Sequence, residues 1–132
     1  MERVTGIGGF FFRAYNPESL RRWYTEQLGV DPVPTSYEES PWWQEAGPTV
    51  FEAFSDGGGL IPDEKTWMVN LRVRDLDAMV EQLRRAGVGV EVDPEAYPNG
   101  RFAQLVDLEG NPIQLWEPTA DALAPTTSDT QG

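Results

Sequence analysis

The stretch Gly100–Pro118, GRFAQLVDLEGNPIQLWEP, decides the fold. It reads as a β-hairpin. One arm spans Arg101 to Val106 and the other Pro112 to Glu117. The turn between them, Asp107-Leu108-Glu109-Gly110-Asn111, carries the Asp, Gly and Asn that tight turns use. Alternation puts Pro112, Gln114 and Trp116 on one face of the second arm and Ile113, Leu115 and Glu117 on the other. Gln114 is thus a polar side chain projecting from a sheet beside an aromatic one.

Working outward, the 132-residue chain predicts one domain over residues 1–120 and a flexible tail over 121–132. It holds 10 basic and 22 acidic residues, a formal charge of −12. Such a surface repels phosphates and anionic lipid, so neither nucleic acid nor a membrane is expected as a partner. The chain has no Cys and no His. That removes disulfides, thiolate chemistry, the commonest general base and the commonest transition-metal ligand. The apolar run Ile7–Phe12 is too short for a membrane span, and a cytoplasmic protein is the expectation. Five Trp predict aromatic walls in a core, pocket or interface.

Val4–Tyr15 alternates as a strand, bare at Gly6, Gly8 and Gly9. Asn16-Pro17-Glu18 starts a helix, Leu20, Trp23, Tyr24 and Leu28 give it one apolar stripe, and Gly29 stops it. Trp42–Ala46 and Pro48–Phe54 read as two more strands, and Ser55–Lys65, with Gly57-Gly58-Gly59, as a linker. Trp67–Arg74 reads as a strand. Asp75 caps a second helix with the stripe Leu76, Met79, Val80, Leu83 and Ala86, ended by Gly87, and Val88–Val92 is a short strand before the hairpin. Strand, cap, helix and Gly thus occur twice in the same order, which reads as β-α-β-β-β written twice, module 1 about 4–54 and module 2 about 67–118.

With NPESLRRWYTEQLGV, NLRVRDLDAMVEQLRRAGV and the D-x-E-G-N-x-I-x-L-W-E-P pattern of the hairpin in hand, residues 4 to 118 resemble the glyoxalase/bleomycin-resistance/extradiol-dioxygenase superfamily, the vicinal oxygen chelate fold. The resemblance implies an α+β fold: two βαβββ modules forming a curled, cup-shaped mixed sheet with helices on the outer face. It also implies small-molecule binding in the cup and a homodimer. In metal-dependent members it implies four ligands, two from each module. Carried over, these positions fall on Gly9, Met68, Gln114 and most naturally Glu52, with Phe51 in its place if the register shifts by one. Glycine has no side chain and a thioether suits hard or borderline ions poorly, so no divalent metal and no other cofactor is expected.

The implied cup lining is Phe11, Arg13, Glu52, Phe54, Met68, Asn70, Arg72, Gln114 and Trp116, with Trp42, Trp43 and Tyr97 at the rim. Aromatic walls with a few polar groups suit a small, partly aromatic molecule. The residues leave alternatives open. Glu52 reads equally as a structural partner of Arg13 or Arg72, or as a catalytic base in a glyoxalase-like lyase or isomerase, with or without an atypical metal site. Gln114 and Asn70 read also as structural amides, Trp116 and Phe54 as core, and Trp42-Trp43 as a contact for a partner protein.

Overall fold

The computed structural model describes residues 1–56 and 59–124, in the order α1 (Pro17–Leu28), β1 (Val69–Arg72), α2 (Leu76–Arg85), β2 (Glu91–Val92), β3 (Gly100–Val106), β4 (Pro112–Pro118) and α3 (Ala120–Leu123). The class is α+β, with one open mixed sheet in the order β1-β4-β3-β2. β1 runs parallel to β4, and β3 pairs antiparallel with both β4 and β2. Residues 69–118 therefore form a complete βαβββ module.

Both helices begin and end as their sequences dictate. The Asn16 side chain accepts from Ser19 N at 3.1 Å, and Gly29 closes α1 at φ 73°. The Asp75 side chain accepts from Ala78 N at 3.0 Å, and Gly87 follows α2 at φ 83°. The Glu117 carboxylate takes a further free amide of α2, Leu76 N, at 2.8 Å. From α2, Leu76, Val80 and Leu83 pack on Ala103, Leu105, Ile113 and Leu115. These are the odd-numbered residues of β3 and β4, so α2 covers one face of the sheet. The expected Ala86 lies past the last helical turn and is exposed, because Gly87 turns the chain there. From α1, Trp23, Tyr24 and Leu28 pack against the same core.

The hairpin turn ties α1 to the sheet. Asp107 is buried, and its Oδ1 accepts from Glu109 N at 2.8 Å and Asn111 N at 3.0 Å. Its Oδ2 accepts from Asn111 Nδ2 at 2.8 Å and from the Tyr24 hydroxyl at 2.6 Å. Asn111 Oδ1 in turn accepts from Lys65 Nζ at 3.1 Å. On the outer side of the turn, the Glu109 carboxylate accepts from Tyr15 N and Asn16 N, at 2.7 and 2.9 Å, where α1 begins. Burial and then the Asp107 bond raise the Tyr24 phenol above its ordinary value. The proton is held in the folded state. This contribution is therefore complete below the ordinary tyrosine pKa of about 10 and is lost only as pH rises through the raised folded value.

Three sequence expectations are corrected. The strands expected over Val4–Tyr15, Trp42–Ala46 and Pro48–Phe54 form no ladder. Pro41 and Pro48 lack an N–H to donate, and Gly6, Gly8 and Gly9 offer little side chain to pack. The aromatic residues instead form a cluster. Phe10 and Phe12 meet Trp67 at ring distances of 5.1 and 5.5 Å, and Phe12 meets Tyr24 at 6.0 Å. Second, the strands expected over Trp67–Arg74 and Val88–Val92 shorten to β1 and β2. Third, the expected tail starts with α3, capped by Thr119 Oγ1, which accepts from Ala122 N at 3.3 Å. The rest of that tail, 125–132, and Gly57-Gly58 of the expected linker lie outside the described residues.

Asp107→Ala strands several buried donors and is expected to cost about 3 kcal/mol of stability. Tyr24→Phe should cost about 1 kcal/mol alone and almost nothing in the Asp107→Ala background. Urea unfolding of the four chains measures this; additive losses would show that the two groups are not coupled.

Candidate functional site

The register of the sheet sets two rows of side chains on the face away from α2. Glu91 pairs with Gln104, Gln104 with Gln114, and Gln114 with Asn70. Residues opposite one another on adjacent strands share a face. A polar row Glu91-Gln104-Gln114-Asn70 thus crosses the sheet, and Asn70 Nδ2 donates to Gln114 Oε1 at 2.7 Å. The second row is Asp93-Phe102-Trp116-Arg72. Phe102 pairs with Trp116 and Trp116 with Arg72, while Asp93 N donates to Phe102 O at 3.0 Å. The Phe102 and Trp116 rings lie 5° from parallel at 6.2 Å, and Tyr97 meets Phe102 edge-on at 5.8 Å.

Over these rows lies a cleft of about 590 Å³, lined by Leu60 and Glu91–Pro94, by Tyr97 and Asn99, and by Phe102, Gln104 and Gln114. Its aromatic wall is positioned by the turn before β3. Gly100 N donates to Tyr97 O and Tyr97 N to Gly100 O, both at 3.0 Å. Trp116 Nε1 donates to Asn99 O at 2.9 Å. Gly100 has φ 139°, and a Cβ there would stand 2.2 Å from Glu117 O and 2.7 Å from Trp116 Nε1. Only glycine lets the turn approach β4 this closely. The Tyr97 hydroxyl donates to Asp93 Oδ2 at 2.8 Å, and this bond, with lost hydration second, pushes its pKa up to about 12.

A second hollow, about 480 Å³, sits on the outer side of α2 among Asp77, Glu81, Arg84 and Arg85. Its charges have partners: Arg85 with Glu81, Arg101 with Asp77, and Arg84 with the Val90 carbonyl. Arg101 holds the Asp77 carboxyl below its ordinary value. This hollow is a solvated, ion-paired surface.

The sequence-read lining divides in two. Gln114 lines the cleft, Asn70 holds it, and Trp116, 5% exposed, backs Phe102. Arg72 shares their face, but its guanidinium donates to the Pro48 and Glu45 carbonyls, and Gly47 leaves room for it there. Arg74 pairs with the Glu45 carboxylate at 2.6 Å. Arg13, Glu52, Phe54, Trp42 and Trp43 are exposed and do not line this cleft, because the segments that carry them join no sheet. Among the described residues, Glu52 pairs with neither Arg13 nor Arg72, which corrects the structural role read for it. Phe102, Gln104, Glu91 and Asp93 were not in the sequence-read lining. The alternation of Arg101–Val106, aligned on the hairpin turn, places the first two.

The family's metal positions do not fit an ion in this chain. Gly9 has no donor, Met68 offers a thioether, Gln114 Oε1 already accepts from Asn70, and Glu52 is exposed outside the cleft lining. No group of three or more His, Cys, Asp or Glu side chains that could hold a metal occurs among the described residues.

An α+β βαβββ module in an open mixed sheet, with α2 packed on one face, is the architecture expected of a vicinal oxygen chelate protein. The family model of the glyoxalase-like domain matches residues 9–116, and the chain belongs to that family. Among solved structures, the chain is similar to TnmS3, an antibiotic binding protein from Streptomyces sp. CB03234. Identity is 24%, over 90% of this chain and 100% of that one, with a TM-score of 0.61. A glyoxylase/bleomycin resistance protein/dioxygenase domain from Frankia sp. EAN1pec is similar at 15% identity, over 89% and 100%, with a TM-score of 0.56. A glyoxalase family protein from Bacillus anthracis gives 21%, over 77% and 84%, with 0.50. These identities speak to fold alone. No curated protein sequence gives a significant match. No helix among the described residues is long and apolar enough to cross a membrane.

Two outcomes test the site's construction. Gly100→Ala is expected to cost about 2 kcal/mol or more and to alter Trp116 fluorescence; wild-type stability would show that the close approach is dispensable. In a phenolate absorbance titration, the step lost in Tyr97→Phe should lie near pH 12. Asp93→Ala should bring it back toward about 10, and an unmoved step would remove Asp93 as the cause.

Proposed function

We propose that this protein binds a small, planar, partly aromatic molecule in the cleft over β2, β3 and β4, and does so without a metal. The observation that carries the reading is the pair of rows themselves. An aromatic wall of Tyr97 and Phe102, backed by Trp116, stands beside the amides of Gln104 and Gln114. Flat rings stack on such a wall, and amides both donate and accept at a ligand's polar edge. The donor set at the family's metal positions supports binding that needs no ion. The antibiotic-binding role of TnmS3, a protein of similar fold, supports a role in sequestering such a molecule. Glu52, exposed and outside the cleft lining, has no part in this reading.

Acridone, a neutral planar tricycle, is the test probe, read by quenching of tryptophan fluorescence. One-to-one saturable binding is expected, equal with and without EDTA. Phe102→Ala should weaken it about tenfold or more, and Glu52→Ala should leave it unchanged. Loss of binding on chelation would overturn the metal-free reading, and indifference to Phe102→Ala would remove the cleft as the site.

A further inference from the structure

We infer that the ligand of this cleft is a planar cation, with its positive charge lying over β2. The inference rests on the cleft-binding reading and adds the ligand's charge and orientation. Both rows end at β2 in a carboxylate, Glu91 on the amide row and Asp93 on the aromatic row. Both line the cleft, and among the described residues no Lys or Arg does.

The nearby cations are committed elsewhere. Arg72, at the far end of the aromatic row, is held by the Glu45 and Pro48 carbonyls. Lys65 donates to Asn111, Arg84 to Val90 O, and Arg101 to Asp77 on the other face. Among the described residues, Asp93 accepts only from neutral donors, the Tyr97 hydroxyl and Glu95 N. The Glu91 side chain is exposed and forms no ion pair among the described residues.

Two effects then act in one direction. A ligand cation meets two carboxylates at the edge of the cleft, Asp93 partly buried and Glu91 exposed, while the nearest guanidinium groups are turned to backbone carbonyls. The faces of Phe102 and Tyr97 attract cations through their ring quadrupoles. An anionic ligand of the same shape meets the same carboxylates as repulsion. Neighbouring strands are about 4.8 Å apart, so a ligand about three rings long reaches from Glu91 to Gln114. Its charged edge would lie at β2 and its neutral polar edge at the glutamines.

The test uses three planar tricycles on the full chain: 9-aminoacridine as the cation, acridone as the neutral form and acridine-9-carboxylate as the anion. The cation is expected to bind about tenfold tighter than acridone, and the anion about tenfold weaker. Glu91→Gln with Asp93→Asn should bring the ratio of cation to acridone affinity close to one, whatever it does to acridone binding itself. Because the whole chain is acidic, Glu18→Gln with Glu26→Gln on α1 serves as the control and should leave the preference intact. An equal loss in that control would assign the preference to net charge and overturn the inference. So would equal binding of all three probes that still depends on Phe102, an outcome that leaves the cleft-binding reading standing. Failure of every probe to bind would overturn both.

Discussion

The carboxylate of Asp107 is the constraint on which the rest depends. It gathers the amides of Glu109 and Asn111 and the side chain of Asn111 into one turn, then takes the Tyr24 hydroxyl from α1. The turn fixes which residue of β3 faces which residue of β4. A slip of one position would carry Phe102 and Gln104 to the helix side and turn Ala103 and Leu105 outward. The two rows of the cleft therefore exist because a buried acid just past the end of β3 holds the turn. The same group couples α1 to the sheet, so the first half of the chain is anchored to the second half without a shared ladder.

The cleft face and the helix face divide the work of the hairpin. Leu105, Ile113 and Leu115 are buried against α2 and supply the hydrophobic stabilisation, at about 25 cal/mol for each Å² of apolar surface covered. Their neighbours one residue along carry amides and rings, for which no helix competes. Glu117 joins the two layers: it sits near the end of β4 and accepts from an amide in the first turn of α2. Gly100 allows the turn and β4 to touch, and so sets where Tyr97 and Asn99 stand relative to Trp116.

What could be read from the sequence was what neighbours along the chain decide. Asn16 with Gly29, and Asp75 with Gly87, mark both helices because caps act within one turn. The Asp-Gly-Asn turn marks the hairpin, and with it Gln114 and Trp116 on one face. Less could be read where a distant partner decides. The alternation of Phe10, Phe12 and Ala14 suits a strand, but no ladder forms there, and Phe10 and Phe12 spend their surface on Trp67 and Tyr24. Glu52 and Phe54 missed the cleft for the same reason. The alternation of Val88, Val90 and Val92 marks a strand, but Glu91 and Asp93 became cleft residues only through the register of its pairing with β3, which that alternation does not set.

That two-residue strand has another consequence. β2 lies at the border of the sheet, where unpaired backbone groups invite a strand from another chain to add on and start aggregation. Here the invitation is brief. β2 offers little length, Pro94 next to Asp93 has no N–H to give, and Glu91 places an exposed charge where an incoming strand would have to lie. The border beside the cleft thus offers an added strand little backbone to pair with.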